Sequence, residues 1–241
     1  MSLKIYVINL KESLDRREEV SEKLSNVNFD FFTVERLNDK KNHVVYKLYN
    51  PNKTLKNKGY ILTTSELGCW ASHIDLWKKC VEENTPYLIL EDNIELFGDL
   101  PSQLGNIEKL VTKYGLLKLG NIFEREFVEI EPIDEQYCLI SNLKGACGTS
   151  AYAITPKTAS VYLQKIDGFF EPIDDFMDNE WRTGQTIYSY YPQLVSRNQT
   201  TSTIGQRKVK GNLSLINKLQ IEGYRLFKKW KQKQYNKKYK L

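Results

Sequence analysis

The sequence predicts an α/β fold in which helices cover a mostly parallel central sheet. Residues 87–90, Y-L-I-L, form a short continuous apolar run, which is typical of a strand buried on both faces of a parallel sheet. Residues 3–10, L-K-I-Y-V-I-N-L, are rich in strong β-formers and predict another strand near the centre of the sheet. A long amphipathic segment over residues 63–84 precedes the apolar run, so we expect a strand, helix, strand unit with parallel strands.

The N-terminal part of the chain predicts two strands, a helix and a loop. After the 3–10 strand, Ser13 is suited to cap a helix, and residues 29–34, F-D-F-F-T-V, predict a second strand. Residues 38–60 are polar and lysine-rich, with little periodicity. They predict a long mobile loop, either a functional lid or a disordered segment.

Residues 63–84 predict the clearest helix in the chain. Thr63 and Glu66 have the spacing of a capping box. Glu66 and His73 lie seven residues apart and therefore share one face of the helix. His73 has no second ligand at a metal-binding spacing, so either it bonds a substrate or it is a structural histidine. Glu66 either contacts a ligand or only completes the cap.

The rest of the chain continues the alternation of helices and strands. Pro156 follows Thr155, a natural helix start, and small residues around Gly148 allow close approach to the backbone. The predicted elements are a helix over 100–114, a strand over 116–119, a hairpin within 127–139, a strand ending at 154, a helix from 156 to 163 and a strand over 187–195.

Three polar residues follow the apolar run directly. The carboxyl ends of strands in open α/β sheets form the edge where ligands bind, so Glu91, Asp92 and Asn93 are expected at a ligand site. Their oxygens can hold a hard divalent cation, and such a cation can bridge a diphosphate. The alternative is an ordinary Asp-Asn turn at the end of a strand.

Charged residues at two other places are candidates for the same site. Arg16 and Arg17 lie in the first turn of the first helix, where a phosphate would meet both a cation and a helix N-terminus. Asp174 and Asp175 follow a proline turn, and either of them is a candidate general base for an incoming hydroxyl. The alternatives are solvated arginines and aspartates that cap a helix.

Composition limits the class of protein. The chain has 241 residues, 41% of them hydrophobic, which is enough for one sizeable core. Four dispersed cysteines without a C-x-x-C pair argue against a structural zinc site and a disulfide framework. The Walker, dinucleotide-binding and serine-hydrolase motifs are missing. With neither a secretory signal nor an apolar run of 18 residues, we expect a cytoplasmic protein, peripheral on the cytoplasmic face of an inner membrane.

The positive charge is concentrated at the C-terminus. Residues 213–241 carry nine Lys or Arg and one Glu, which gives this segment a net charge of +8. The whole chain has a net charge of +5, so residues 1–212 together carry −3. Apolar residues are interspersed among these lysines, which predicts a basic amphipathic helix able to lie on an anionic membrane. A partner-binding helix or a nucleic-acid contact are the alternatives, although no nucleic-acid motif is present.

Six short motifs follow one another over about 200 residues of the chain. They are V-I-N-L at 7–10 with Arg16 and Arg17, S-E-L-G-C-W-A-S-H at 65–73 with Trp77, L-I-L-E-D-N at 88–93, G-T-S-A-Y-A-I at 148–154 with Ala159, P-I-D at 172–174 and S-T-I at 202–204. In this order the motifs resemble those of glycosyltransferase family 25, the bacterial lipooligosaccharide galactosyltransferases.

The resemblance implies a fold similar to GT-A and transfer of galactose from UDP-galactose to a saccharide hydroxyl, with inversion at the anomeric carbon. It implies a GT-A-like domain over residues 1–212, followed by the basic tail over 213–241, and an acceptor that is a lipid-linked surface glycan. On this resemblance Asp174 is the first choice as base and Asp175 the second. The implied donor-site residues are Asn9, Arg16, Glu66, His73, Glu91, Asp92 and Thr149, with Mn²⁺ or Mg²⁺ on Glu91, Asp92 and Asn93.

Two departures from the family pattern concern the donor site. The family's acidic motif usually ends in a second aspartate where this chain has Asn93, and the loss of a carboxylate should lower the affinity for a cation. Residues 35–37 replace the family's usual A-x-D-G-like turn. Two alternatives therefore stay open: a donor such as UDP-glucose or UDP-N-acetylglucosamine, or a catalytically silent relative that binds a nucleotide sugar or glycan.

Overall fold

A computed structural model describes residues 2–37, 42–198 and 214–239. Its strands, in chain order, are β1 (Lys4–Leu10), β2 (Asp30–Val34), β3 (Tyr87–Glu91), β4 (Ile94–Leu96), β5 (Leu116–Lys118), β6 (Phe127–Pro132), β7 (Cys138–Asn142), β8 (Ala151–Ile154), β9 (Tyr188–Tyr191) and β10 (Val195–Arg197). Its helices are α1 (Leu14–Lys23), α2 (Val45–Leu48), α3 (Pro51–Lys58), α4 (Thr64–Glu82), α5 (Leu100–Tyr114), α6 (Pro156–Lys165), α7 (Ile173–Met177), α8 (Glu180–Thr183) and α9 (Leu215–Asn236), which a 3₁₀ turn extends.

Eight strands form one sheet in the order β2-β1-β3-β8-β5-β9-β7-β6. The pairings make β8 and β7 run against the other six strands of this sheet. The predicted α/β class with a mostly parallel sheet is therefore confirmed. The predicted hairpin is also found, because β6 pairs antiparallel with β7.

Strand β3 lies inside the sheet and is covered on both faces. Tyr87 and Ile89 belong to the core on the side of α4 and α6, whereas Leu88 and Leu90 belong to the core on the side of α1 and α5. This alternation between two buried faces explains why the strand is continuously apolar. The strand ends at Glu91, so the polar residues after it lie at the carboxyl edge of the sheet.

Helix α4 begins with the predicted capping box. The Thr63 hydroxyl accepts from the Glu66 amide at 3.2 Å, and a Glu66 carboxylate oxygen accepts from the Thr63 amide at 2.8 Å. The helix is anchored by Trp70, which is fully buried, stacks on Phe169 at 4.1 Å and donates from its indole nitrogen to the Glu171 carbonyl at 2.9 Å. These contacts fix the first two turns of α4 beside the end of β3.

The prediction of a mobile loop over residues 38–60 is wrong for its described part, residues 42–60. Helices α2 and α3 form there, and Val45 is buried in the core below α4. The local signals for α3 were in the sequence: Asn50 accepts from the Lys53 amide at 2.9 Å, Pro51 opens the helix and Gly59 closes it at a φ of 78°. Short amphipathic helices lack the length at which periodicity becomes visible.

The basic tail forms helix α9 as predicted, and one of its faces packs on α3 and α8. Phe227 meets Trp181 edge-on at 5.6 Å, and the Gln232 amide donates to Glu180 at 2.9 Å. The predicted domain boundary at 212/213 and the S-T-I segment at 202–204 lie outside the described residues. Within the described ranges, no helix combines the length and apolarity of a membrane span.

Candidate functional site

A cavity of about 500 Å³ opens at the carboxyl edge of the sheet, between the ends of β1 and β3 and the first turns of α4 and α7. Three predicted site residues do not line it: Asn9 lies beneath it, Asp175 points elsewhere, and Arg17 stacks on Phe31 and donates to the Thr33 hydroxyl. The predicted residues that line it are Arg16, Glu66, His73, Glu91, Asp92, Asn93, Thr149 and Asp174. The structure thus brings together residues from five separate sequence motifs.

Asp92 is held between β1 and α1. One carboxylate oxygen accepts from the Asn9 side-chain amide at 2.9 Å, and the other lies 3.5 Å from an Arg16 guanidinium nitrogen. The same Asn9 amide donates to the Ser13 carbonyl at 3.2 Å, which joins the end of β1 to the start of α1. Asn9 is therefore a support for Asp92 rather than part of the cavity wall.

Glu91 lies on the α4 side of the same strand end. Its carboxylate accepts from the Thr149 hydroxyl at 2.8 Å, which explains why both residues line one wall. Burial raises the pKa of Glu91, and the hydrogen bond from Thr149 and the charge of Arg197 act against this rise.

Asn93 contacts an arginine that the sequence did not reveal. Its amide satisfies both neighbours in one orientation, in which the nitrogen donates to Glu91 at 3.3 Å and the oxygen accepts from Arg197 Nε at 3.0 Å. Arg197 reaches the site because β10 pairs antiparallel with β4, which begins directly after Asn93. The sequence predicted one strand over 187–195, but the chain leaves the main sheet after Tyr191 and starts a second small sheet.

His73 is fully buried in the cavity floor. Its Nδ1 lies 2.7 Å from the Tyr152 hydroxyl, which also accepts from the Trp77 indole nitrogen at 2.9 Å. Burial lowers the pKa of His73 to about 3, so the ring is neutral at physiological pH. Its Nε2 has no hydrogen-bond partner among the described residues.

The two aspartates of α7 have different surroundings. Asp174 lines the cavity and accepts from the Gly148 amide at 3.5 Å, and burial together with the charges of Asp175 and Asp178 raises its pKa. Asp175 lies 2.6 Å from Lys58 Nζ and 3.5 Å from Lys228 Nζ. Burial acts to raise the pKa of Asp175, but these two lysines outweigh it and lower the pKa.

The sequence model of one family, described as glycosyltransferase family 25 (LPS biosynthesis protein), matches residues 2–177. The chain belongs to glycosyltransferase family 25. The matched range contains the residues that line the cavity, apart from Arg197. The family membership that the motifs predicted is therefore confirmed.

Three relatives give the range of this similarity. A putative glycosyltransferase of Haemophilus influenzae is 27% identical over 72% of this chain and 61% of its own length. The lipooligosaccharide biosynthesis protein lic2B of Haemophilus influenzae is 36% identical over 39% of this chain and 34% of its own length. Procollagen galactosyltransferase 1-B of Xenopus laevis is 27% identical over 72% of this chain and 30% of its own length. The chain thus spans at most 61% of the length of these curated relatives.

Among solved structures, the inositol-1-phosphate CTP transferase from T. maritima aligns over 94% of this chain and 76% of its own, with a TM-score of 0.31 and 11% identity. A similarity at this level carries no argument about function. The chemistry of the cavity and the family membership are therefore the grounds on which a function can be assigned.

The oxygens beside Asn93 fit a divalent cation. Glu91, Asp92 and Asn93 offer two carboxylates and an amide, the hard donors that Mn²⁺ and Mg²⁺ prefer. Asn9, which bonds Asp92, also has a buried side-chain oxygen that bonds none of the residues the structure describes. The amide oxygen of Asn93 already accepts a hydrogen bond from Arg197, which competes with a cation for that oxygen. This family 25 chain should therefore bind a cation more weakly than a chain with aspartate at position 93.

A buried ion pair that the sequence did not reveal supports the loop before Thr149. Lys118 is 1% exposed and Asp178 7%, and their charged atoms lie 2.8 Å apart. Both bond the backbone of Cys147: Lys118 Nζ donates to its carbonyl at 3.2 Å, and Asp178 accepts from its amide at 2.7 Å. Cys147 and Gly148 have φ values of 56° and 87°, so the pair holds a left-handed backbone segment in place.

Proposed function

We propose that the protein is an inverting glycosyltransferase that moves galactose from UDP-galactose to a saccharide hydroxyl of a lipooligosaccharide or another surface glycan. One observation carries this proposal: a single cavity of a family 25 chain contains both a phosphate-binding chemistry and a partly buried carboxylate, Asp174. An inverting displacement needs both, because the nucleotide leaves on one side while the acceptor hydroxyl loses a proton on the other. The predicted GT-A resemblance is consistent with this scheme.

The diphosphate is proposed to bind near Arg16 and the acidic motif. Arg16 would bond phosphate oxygens while keeping Asp92 in place, since the two are already neighbours. Mn²⁺ or Mg²⁺ would be held by Asp92 and Asn93 with Glu91, and when bound it would neutralise the charge of the departing UDP. Arg197 adds a second guanidinium to the same wall of the cavity.

Asp174 is proposed as the general base. Burial and the neighbouring carboxylates raise its pKa, so its carboxylate is a stronger proton acceptor than a solvated aspartate. Asp175 is the second choice, since two lysines already occupy its carboxylate. Thr149 and Glu66 would line the donor side, although Glu66 also completes the cap of α4.

Galactose is proposed because one relative is named for it, and a lipooligosaccharide acceptor because another relative is named for lipooligosaccharide biosynthesis. The Xenopus laevis relative is named a procollagen galactosyltransferase, and lic2B is named a lipooligosaccharide biosynthesis protein. UDP-glucose and UDP-N-acetylglucosamine are the competing donors. A silent relative that binds without transfer is the competing class, motivated by Asn93.

The test is release of UDP from a panel of UDP-sugars without acceptor, in Mn²⁺ and in EDTA. Selective, metal-stimulated turnover of UDP-galactose is the expected result. If turnover is selective but EDTA does not change it, the transferase proposal stands, and Arg16 and Arg197 are assigned the stabilisation of the phosphates. Failure of every UDP-sugar and of UDP to bind, measured by calorimetry, would overturn the proposal.

Asn93→Asp is expected to tighten the binding of Mn²⁺ about tenfold, because it adds a carboxylate to the ligand set. Mn²⁺ titrations of UDP-bound wild type and variant measure this change. Asn52→Asp, at an exposed position of α3 outside the cavity, is the control for the same change in net charge. An unchanged Mn²⁺ affinity in Asn93→Asp would remove position 93 from the cation site, and a large gain in turnover would identify the wild type as a decayed enzyme.

Helix α9 is proposed to bind an anionic membrane that carries the lipid-linked acceptor. Its outward face exposes Leu219 and Trp230, at 73% and 53%, beside the exposed Lys229 and Lys233. These are the apolar and basic groups of an interfacial helix.

Lys229→Gln with Lys233→Gln is expected to weaken binding to vesicles rich in anionic lipid by roughly 30-fold, from about 1 kcal/mol per basic residue. Vesicle co-sedimentation measures it. Lys109→Gln with Lys113→Gln is the matched control, because these exposed lysines have the same spacing on α5. Equal binding by the two double variants would exclude α9 from the membrane contact.

A further inference from the structure

Among the described residues, the Nε2 atom of His73 has no hydrogen-bond partner, although it is a buried polar atom in the lining of the cavity. His73 has no exposed surface, and its other ring nitrogen is already engaged by Tyr152. A buried polar group that stays unpaired costs stability, so its retention in a cavity wall calls for a ligand.

The hydrogen bonds of Tyr152 decide which ring nitrogen carries the proton. The Tyr152 oxygen accepts from the Trp77 indole N–H, whose role as donor is fixed. Tyr152 has one proton of its own, and within the described part of the chain His73 Nδ1, at 2.7 Å, is the atom placed to accept it. Therefore Nδ1 accepts, and in the neutral ring the proton resides on Nε2 and is directed to the cavity as a donor.

The neighbours of His73 restrict what that donor can bind. A ring nitrogen of His73, the Cys69 thiol and a Glu91 carboxylate oxygen all lie within 4.8 Å of one another, without a direct hydrogen bond between His73 and Glu91. This spacing admits one oxygen atom between them. A phosphate oxygen would be repelled by Glu91, and a metal ion requires an unprotonated Nε2. A hydroxyl group fits both, because it accepts from His73 and donates to Glu91.

We propose that His73 and Glu91 together bind one hydroxyl group of the hexose in the sugar donor, with Tyr152 as the positioning residue that keeps His73 a hydrogen-bond donor. This inference rests on the proposed transferase function and adds a specificity determinant to it. A hexose that lacks this hydroxyl, or carries it in the other configuration, leaves the His73 N–H unpaired and the Glu91 carboxylate with one hydrogen bond fewer. Sites of this kind discriminate strongly against the wrong sugar.

The experiment measures dissociation constants by calorimetry at fixed Mn²⁺. The ligands are UDP, the tightest-binding UDP-hexose and its four monodeoxy analogues, and the proteins are wild type, His73→Leu and His73→Gln. We expect wild type to bind one analogue about tenfold or more weakly than it binds the parent UDP-hexose. His73→Leu should bind the parent UDP-hexose as weakly as wild type binds that analogue. It should bind the analogue and the parent with equal affinity, and it should bind UDP as tightly as wild type does. His73→Gln, whose amide nitrogen can replace Nε2, should recover part of the loss.

Tyr162→Phe is the matched control, because its hydroxyl is also buried and has no partner in the described ranges, but it does not line the cavity. It should leave all these constants unchanged. If His73→Leu keeps the discrimination of wild type, or weakens UDP equally, the inference fails while the transferase proposal stands. If wild type binds neither UDP nor any UDP-hexose, the proposed function fails as well.

Nitrogen-15 NMR of the histidine side chains gives a readout independent of affinity. The chain has two histidines, His43 and His73, so assignment needs one variant. We expect His73 to stay neutral with the proton on Nε2 down to pH 5, and its Nε2 signal to shift with UDP-hexose but not with UDP. Tyr152→Phe should mix the two tautomers. A proton on Nδ1 in wild type would overturn the proposal.

Discussion

Asp174→Asn is expected to lower turnover at least about 100-fold, which is the lower end of a general-base contribution. The asparagine keeps the size of the side chain and can still accept from the Gly148 amide or the Asp175 amide, so the fold of α7 should be preserved. It cannot take a proton from the acceptor hydroxyl. The binding of UDP should change little, because Asp174 belongs to the acceptor side of the proposed mechanism.

The control for Asp174→Asn is the same substitution at its neighbour. Asp175→Asn removes a carboxylate that pairs with Lys58 and Lys228 and should cost stability more than turnover. Steady-state kinetics with an acceptor, together with thermal unfolding of both variants, separates the two effects. A near-normal turnover in Asp174→Asn would show that Asp174 is not the general base. A 100-fold loss of turnover in Asp175→Asn alone would assign that role to Asp175.

The pH dependence of the wild type tests the same assignment. A general base acts when deprotonated, so kcat/KM should fall as the pH decreases through the pKa of Asp174. Burial, with the nearby Asp175 and Asp178 charges, raises that pKa, so the fall should begin at a higher pH than for an ordinary aspartate. The acid limb measured with and without Mn²⁺ should differ little if Asp174 is the titrating group.

Local sequence patterns were sufficient to predict the strands and helices whose structure depends on residues close to one another in the chain. The continuous apolar run of β3 predicted its burial on two faces, and the Thr63–Glu66 spacing predicted the capping box that the structure contains. The same patterns brought Arg16, Glu91 and Asp174 to one candidate site, since strand ends and helix starts of an α/β sheet meet at one edge.

Contacts between distant parts of the chain were not predictable in this way. Arg197 reaches Asn93 across 104 positions because β10 leaves the main sheet and pairs with β4, a register that no local motif encodes. The bond between His73 and Tyr152 spans 79 positions, and a lone histidine gives no sign of its tautomer. Lys118 interrupts a buried apolar strand in the sequence, and only the folded chain places Asp178 beside it.

Lys118→Met is expected to lower the free energy of unfolding by about 3–5 kcal/mol, because it leaves the Asp178 carboxylate buried without its partner. Methionine fills a volume similar to that of the lysine stem, so the loss reflects the unpaired charge more than a cavity. Denaturant unfolding monitored by tryptophan fluorescence measures it. Lys113→Met breaks an exposed pair with Glu131 and should cost at most about 1 kcal/mol.

Adding Asp178→Asn to Lys118→Met identifies the source of the loss. The asparagine oxygen can still accept from the Cys147 amide, but the buried charge is gone, so the double variant should be more stable than Lys118→Met alone. Recovery of stability together with normal UDP binding would mean that the ion pair serves the fold. Recovery of stability with weakened turnover would mean that both charges are needed to position the Cys147–Gly148 backbone beside Asp174. The Gly148 amide donates to Asp174, the proposed base, so a shift of this backbone would disturb it. If the double variant is less stable than Lys118→Met, the lysine contributes by packing, and the ion-pair explanation is wrong.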